Sequence, residues 1–271
     1  MLSADEESKL ITQVSKIATD AGLLISSHYH SQIQIQIEFK SDDTPVTIAD
    51  TEASRFICQG LQSISDWPII SEEEDIADFS MRKHWTAYWL IDPLDGTKEF
   101  IKGNGEYTVN IALIQNHRSI LGVVYAPEFN QLFTGGLHQG ATMETPEGSS
   151  KLRVSQQVAT RHWHIISGRS LPKPRLNRLL SKIPHSQVTD MGSSLKVCHI
   201  AAGFADLYPR FGPTSEWDTA ASQIILESAG GVLVDLNGES LTYNQKDSLV
   251  NPDFAAMSHL DVSVLEQMKT C

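Results

Sequence analysis

The chain has 271 residues, of which 41% are hydrophobic and 20% charged; that is about two domains' worth of length with material for a large core, which excludes a disordered chain. Its formal net charge of -12 opposes nucleic-acid or anionic-membrane binding by bulk electrostatics, so an anionic ligand must be met by local cations. Cys58, Cys198 and Cys271 are odd in number and form no CxxC pair, which points away from a disulfide framework or a zinc site and toward a reducing compartment.

The N-terminus, MLSADEESKLITQV, lacks a basic-then-apolar leader, and no apolar run approaches the ~20 residues that span a bilayer. The expectation is a cytoplasmic protein, with peripheral contact at the inner membrane left open and no obligate protein partner.

In chain order, Ser3 and Glu6 form a capping box, followed by Leu10, Ile11, Val14, Ile17, Ala18, Ala21, Leu24 and Ile25 at helical spacing, which predicts a long amphipathic opening helix. QIQIQI, residues 32–37, alternates as a strand does, and a second helix is expected from about Asp50 to Ile64 after the polar KSDDTPVTIAD. From Trp67 the pattern is mostly β, in WPIIS, YWLI, TVNIALI, SILGVVYA and QLFTGG, close enough together for antiparallel pairing. Apolar periodicity lapses in TPEGSSK, Thr145 to Lys151, which predicts a joint there and a boundary near residue 152, dividing the chain into 1–151 and 152–271. Beyond it, HWHIIS, VTDMG, DLYPRF and GVLVDL alternate with helical stretches beginning near Pro172, Ser193 and Ser215, an α/β pattern.

Three segments carry candidate chemistry. WLIDPLDGT, Trp89 to Thr97, ends an apolar run in two carboxylates. Like charges there require a cation between them or exposure to water. Asp92 and Asp95 suit a hard divalent cation, which prefers oxygen ligands. Pro93 restrains the turn, and Gly96 allows close approach and a helix start at Thr97. Alone, this motif is better read as an exposed acidic turn. WPIISEEED places Glu72, Glu73 and Glu74 after a strand, where one carboxylate can turn inward, and PTSEWDTAASQIILESAGG places Asp218 in a helix's first turn, where macrodipole stabilisation is a sufficient alternative role. The paired His28 and His30, and His162 and His164, lack accompanying acid or cysteine ligands, and Trp67, Trp85, Trp89 and Trp163 read as packing residues.

Together, Glu72-Glu73, DPLDGT from Asp92 to Thr97 and Trp217-Asp218 resemble, in order and kind, the lithium-sensitive, magnesium-dependent phosphatase superfamily of inositol monophosphatase, fructose-1,6-bisphosphatase and the 3′(2′),5′-bisphosphate nucleotidases. The resemblance covers nearly the whole chain. GSSLK, Gly192 to Lys196, and LYPRFGPTSEWDTAA, Leu207 to Ala221, are most similar to the CysQ type of nucleotidase, which removes the 3′-phosphate of 3′-phosphoadenosine 5′-phosphate to give AMP. The resemblance implies a mixed α/β protein, a layered α/β/α/β/α sandwich of two sub-domains with the site between its halves. It also implies two or three Mg²⁺ ions, one held by Glu72, Asp92, the Leu94 carbonyl and Thr97, and another by Asp92, Asp95 and Asp218. Asp50, Glu72 and Thr97 then orient and deprotonate the attacking water, although Asp50 fits a helix cap equally well.

A nucleotide bisphosphate requires cations and hydroxyls away from the metals, and Ser193, Lys196 and Arg210 are candidates beside Gly96, Thr97 and Asp218. Lys196 and Arg210 also fit solvated surface charges. IISGRSLPKP departs from the ISRSH-like pattern of the type, so Ser167 and Arg169 are contacts by analogy alone. The alternatives are an inositol or sugar phosphatase of the same superfamily and a non-catalytic nucleotide-binding module. The joint presence of Glu72, Asp92, Asp95, Thr97 and Asp218 argues against the latter.

Overall fold

The computed structural model describes residues 2–31, 37–39, 45–156, 162–169, 171, 173–183 and 185–271. Of the alternating segment at residues 32–37, only Ile37 lies among them, and residues 40–44 of the polar turn lie outside. Helix α1 (Ala4–Tyr29) starts at the capping box, where Ser3 Oγ accepts the Glu6 N–H at 3.3 Å and the Glu6 carboxylate accepts the Ser3 N–H at 2.8 Å. Short strands β1 (Ile37–Phe39) and β2 (Pro45–Thr47) pair antiparallel and lead into α2 (Ile48–Gln62).

The first large sheet follows: β3 (Ile69–Ser71), helix α3 (Phe79–Arg82), β4 (Ala87–Asp95), helix α4 (Thr97–Lys102), β5 (Thr108–Gln115), β6 (Arg118–Ala126), β7 (Gln131–Gly136), β8 (Gly140–Thr145) and β9 (Gly148–Lys151). These seven strands lie side by side in chain order. All neighbours are antiparallel except β3 and β4, which run parallel. The segment between those two, which includes α3, is long enough to return the chain to the edge where it began, as a parallel pair requires. TPEGSSK forms a hairpin: Thr145 ends β8, and the polar residues after it lead into β9, exposed throughout at the sheet edge and the last strand of this sheet. Exposure accounts for its polarity.

The second sheet is built from β10 (His164–Gly168), β11 (Gln187–Met191), β12 (Leu207–Arg210), β13 (Val232–Asp235) and β14 (Phe254–Met257), with α5 (Lys173–Lys182), α6 (Leu195–Ala201), α7 (Trp217–Ser228) and α8 (Val262–Lys269) between and after the strands. Its order is β11-β10-β12-β14-β13, mixed in direction. FAAM and the last helix complete it; four residues are too few to show a period.

Three buried clusters define the layers. The α1 and α2 faces, including Val14, Ala18, Ile57 and Leu61, pack on one side of the first sheet against Trp89, Ile91 and Ile111. The largest cluster joins the other side of that sheet, through Leu90, Ala112 and Val124, to α6, α7 and the second sheet. The third lies between the second sheet and α5 and α8. The result is an α/β/α/β/α sandwich in which each buried Leu, Ile or Val contributes about 1.5–3 kcal/mol. Gly122 on β6 allows α7 to approach, because a Cβ there would stand 2.3 Å from the Ala221 carbonyl. Trp89 and Trp163 are buried, Trp67 and Trp85 pack partly buried against the cores, and all three cysteines are free. Among the described residues no helix is long and apolar enough to cross a membrane.

Candidate active site

The apolar run of WLIDPLDGT is the interior of β4, which continues through Asp95 with an irregularity in pairing between Asp92 and Asp95, around Pro93. That interruption lets both carboxylates leave the sheet. Gly96 then takes φ +97°, a left-handed value open to glycine at little cost, and α4 begins at Thr97. Parallel pairing with β4 carries β3 to the same end, where the Glu72 N–H donates to the Ile91 carbonyl at 3.3 Å. Helix α7 enters from the next layer with Asp218 in its first turn. Ligand atoms of Glu72, Asp92 and Asp218 lie within 4.8 Å of one another.

Asp92 is 1% exposed and accepts the Leu94 N–H at 3.1 Å. Burial, then the charges of Glu72, Asp95 and Asp218, push its carboxyl well above the usual range. Burial, followed by Asp95 and Glu72, likewise raises Asp218, although its carboxylate accepts the Ser215 N–H at 2.9 Å. Asp95 stands alongside, with Oδ2 accepting from Ser194 Oγ at 2.7 Å and Asn110 Nδ2 at 3.3 Å. Ser194 Oγ is also within reach of the Asp218 carbonyl, at 2.8 Å. Ser194 therefore ties Asp95 of β4 to α7, and Asn110 braces both Asp95 and Ser194. GSSLK displayed the serine, but nothing in TVNIALI distinguishes Asn110 from any other polar strand position.

Both readings of Asp50 hold geometrically. Oδ2 accepts the Thr47 N–H at 2.8 Å and the Thr47 hydroxyl at 2.6 Å, securing the start of α2. Oδ1 accepts the Thr97 hydroxyl at 3.1 Å, and that hydroxyl is also 3.3 Å from the Leu94 carbonyl. Burial raises the Asp50 carboxyl, against the lowering effect of those hydroxyls.

Two adjoining cavities of about 250 and 270 Å³ open here, sharing Asp95, Gly96, Lys98, Glu99, Arg210 and Asp218. The first is also lined by Ser193 and Lys196. The Lys196 ammonium donates to the Ser193 carbonyl and lies 5.2 Å from the Tyr208 ring centre; its pKa is lowered, chiefly by burial. Arg210 Nη2 donates to the Pro213 carbonyl at 2.7 Å. Ser167 is fully buried, its hydroxyl donating to the Gly168 carbonyl, and it does not line either cavity. Arg169 lines the first cavity with its guanidinium engaged by Glu106, a partner the sequence did not single out.

Carboxylates crowded at this depth cannot all remain ionised without a compensating positive charge. The donors are all oxygens, from Glu72, Asp92, Asp95, Asp218 and the Leu94 carbonyl, the set a hard divalent cation prefers. The residues present therefore fit such an ion.

Comparison with known proteins extends this likeness to the whole chain. The model of the inositol monophosphatase family matches residues 6–269. The chain is 41% identical over 249 residues to the 3′(2′),5′-bisphosphate nucleotidase CysQ of Salmonella typhimurium, covering 90% of this chain and 98% of that protein. It is 43% identical over 252 residues to the CysQ of Buchnera aphidicola, covering 92% and 93%. The crystal structure of CysQ from Bacteroides thetaiotaomicron superposes with a TM-score of 0.81 at 34% identity, over 93% of this chain and 97% of that one. A match of this extent, centred on an acidic strand end facing the first turn of a helix, makes the chain a member of the inositol monophosphatase family.

Proposed function

We propose that the protein is a magnesium-dependent phosphatase that removes the 3′-phosphate of 3′-phosphoadenosine 5′-phosphate, giving AMP and inorganic phosphate, and acts also on 3′-phosphoadenylyl sulfate in support of sulfate assimilation. Phosphatases of this family are metal-dependent, and relatives named as bisphosphate nucleotidases span nearly the full chain. The observation that carries the reading is the carboxylate cluster opening into a cavity lined by Lys196 and Arg210, because a bisphosphate needs one site for the reacting phosphate and separate cations for the other. Residues 1–151 supply most metal ligands, and residues 152–271 supply the substrate contacts and the last metal ligand. The setting is cytoplasmic.

Two or three Mg²⁺ ions held by Glu72, Asp92, Asp95, Asp218, the Leu94 carbonyl and Thr97 would lower the pKa of the attacking water and stabilise charge on the transferring phosphoryl group. The chain's own part is positioning and proton transfer. With its hydrogen donated to Asp50 Oδ1, the Thr97 hydroxyl presents a lone pair to the water and relays its proton, while Glu72 holds the water from the other side. Oxygen from water bonds to phosphorus as the ester P–O bond breaks; the departing 3′-oxygen takes a proton from solvent water, and Asp50 returns the relayed proton to solvent. Gly96, Ser193, Lys196 and Arg210 hold the nucleotide.

The deciding experiment measures phosphate release from 3′-phosphoadenosine 5′-phosphate, 3′-phosphoadenylyl sulfate, inositol 1-phosphate and fructose 1,6-bisphosphate, with magnesium and with chelator. The expected result is magnesium-dependent turnover favouring the first substrate and inhibited by lithium but not potassium. Preference for inositol or sugar phosphate would overturn the nucleotide assignment, and undiminished turnover in chelator would overturn the metal scheme.

A further inference from the structure

Arg169 follows β10 at the wall of the substrate cavity, where a cation would ordinarily be read as a substrate contact. Both its terminal nitrogens are already committed. Nη1 and Nη2 donate to the two carboxylate oxygens of Glu106, the latter at 2.8 Å, and Nη2 also reaches the Asp190 carbonyl at 3.4 Å. Such a two-point pair fixes direction as well as charge. Glu106 Oε2 accepts in addition the Gly192 N–H at 2.6 Å, and Gly192 opens the turn that leads to Ser193 and Lys196. Glu106 belongs to the half that carries the β4 carboxylates, whereas Arg169, Asp190 and Gly192 belong to the other half. The four groups form a clasp across the cavity's rim.

Its charge is as relevant as its geometry. Burial would raise the Glu106 carboxyl, but the Arg169 and Gly192 hydrogen bonds outweigh that and keep it below the usual range, so it is a fixed negative charge. Its field reaches Lys196, on the wall where an anion would bind. Paired with Arg169, that charge is cancelled; unpaired, it would repel the anion that Lys196 and Arg210 attract.

We propose that Arg169 is a specificity-determining positioning residue: by neutralising Glu106 and securing the Gly192 turn, it lets the cavity accept a second anionic group without touching that group itself. This rests on the reading of the cavity as a bisphosphate site.

The test is steady-state kinetics of the magnesium-loaded enzyme on 3′-phosphoadenosine 5′-phosphate and on β-glycerophosphate, a monoester with no second anion. The enzymes compared are wild type, Arg169→Ala, Arg169→Lys, Glu106→Gln and the double variant Arg169→Ala/Glu106→Gln. Arg169→Ala should raise KM for the bisphosphate by about tenfold, the scale of one incompletely screened like charge, with kcat within about twofold. The rise should shrink as potassium chloride is increased toward ~0.3 M. KM for β-glycerophosphate should change less than about twofold, because that ligand carries nothing to the rim. Glu106→Gln keeps an acceptor for Gly192 and should leave bisphosphate KM equal or lower. The double variant should recover to near wild type, with Arg169→Lys between wild type and Arg169→Ala.

A double variant as impaired as Arg169→Ala would overturn the proposal, since the guanidinium itself would then be the substrate contact. Equal losses on both substrates, or a raised bisphosphate KM in Glu106→Gln, would overturn it in favour of a purely structural clasp. Those two readouts remain decisive through Glu106→Gln and Arg169→Lys if Arg169→Ala does not fold. Wild type inactive on the bisphosphate but active on β-glycerophosphate would instead refute the nucleotide reading, and the clasp's role with it.

Discussion

Replacing Asp92 with Asn should produce a reversal of stability order that depends on metal. Asp92 is 1% exposed, and the negative charges of Glu72, Asp95 and Asp218 act on it directly. With metal removed, this carboxyl must either stay charged among like charges or take up a proton to avoid them, and either way the folded state bears a penalty on the order of 1–3 kcal/mol. Asn preserves an acceptor for the Leu94 N–H and adds an amide donor among Glu72 and Asp218, whose ligand atoms lie within 4.8 Å. In chelator the variant should therefore unfold about 2–12 °C above wild type, taking roughly 2–4 °C per kcal/mol for a chain of this size class. Magnesium at a hundred times its dissociation constant should then stabilise wild type by about 2.7 kcal/mol and the variant far less, so the order reverses. Turnover should be nearly abolished in the variant throughout. Scanning calorimetry with EDTA and with magnesium, alongside phosphate release, checks all of this. An Asp92→Asn protein less stable than wild type in EDTA, yet equally responsive to magnesium, would refute the argument that these carboxylates share a cation.

Thr97→Val removes the hydroxyl that, in the proposed mechanism, relays the water's proton toward Asp50, and kcat should fall by roughly 10²-fold; because Asp50 Oδ1 also loses a partner, urea unfolding should register a cost of about 1–2 kcal/mol. Lys196→Ala and Arg210→Ala should each weaken kcat/KM for the bisphosphate by about 10–150-fold, equivalent to ~1.5–3 kcal/mol for a charge-assisted contact, while sparing β-glycerophosphate; equal loss on both substrates would place these cations at the transferring phosphate. Gly122→Ala puts a methyl group 2.3 Å from the Ala221 carbonyl and forces α7 outward. It should cost about 1–3 kcal/mol by urea titration and lower turnover at the same time, since α7 carries Asp218; lost stability with full activity would mean that the site tolerates a displaced helix.

What the sequence determined by itself is whatever short-range chemistry fixes. The Ser3–Glu6 cap and the 3.6-residue apolar repeat after it specify α1, because both act within one or two turns. Asp92, Pro93, Asp95, Gly96 and Thr97 fall within six residues, so a strand end, an interrupted ladder and a left-handed glycine follow one another with few alternatives. The family was legible for the same reason: its acidic segments are compact and ordered along the chain.

Periodicity reports which face of an element is buried but not what buries it. It could not distinguish a parallel from an antiparallel partner for β3, or show that Thr145–Lys151 forms an exposed edge hairpin. It also could not show that Ser167 turns into the protein while Ser194 and Asn110 hold Asp95. Strand pairing brings Glu72 to Asp92, only the stacking of α7 on that sheet adds Asp218, and only the packing of the two sheets' ends pairs Arg169 with Glu106, 63 residues away in sequence. Direct charge interactions are strong over a few ångströms, so their partners depend on where packed sheets and helices place distant parts of the chain.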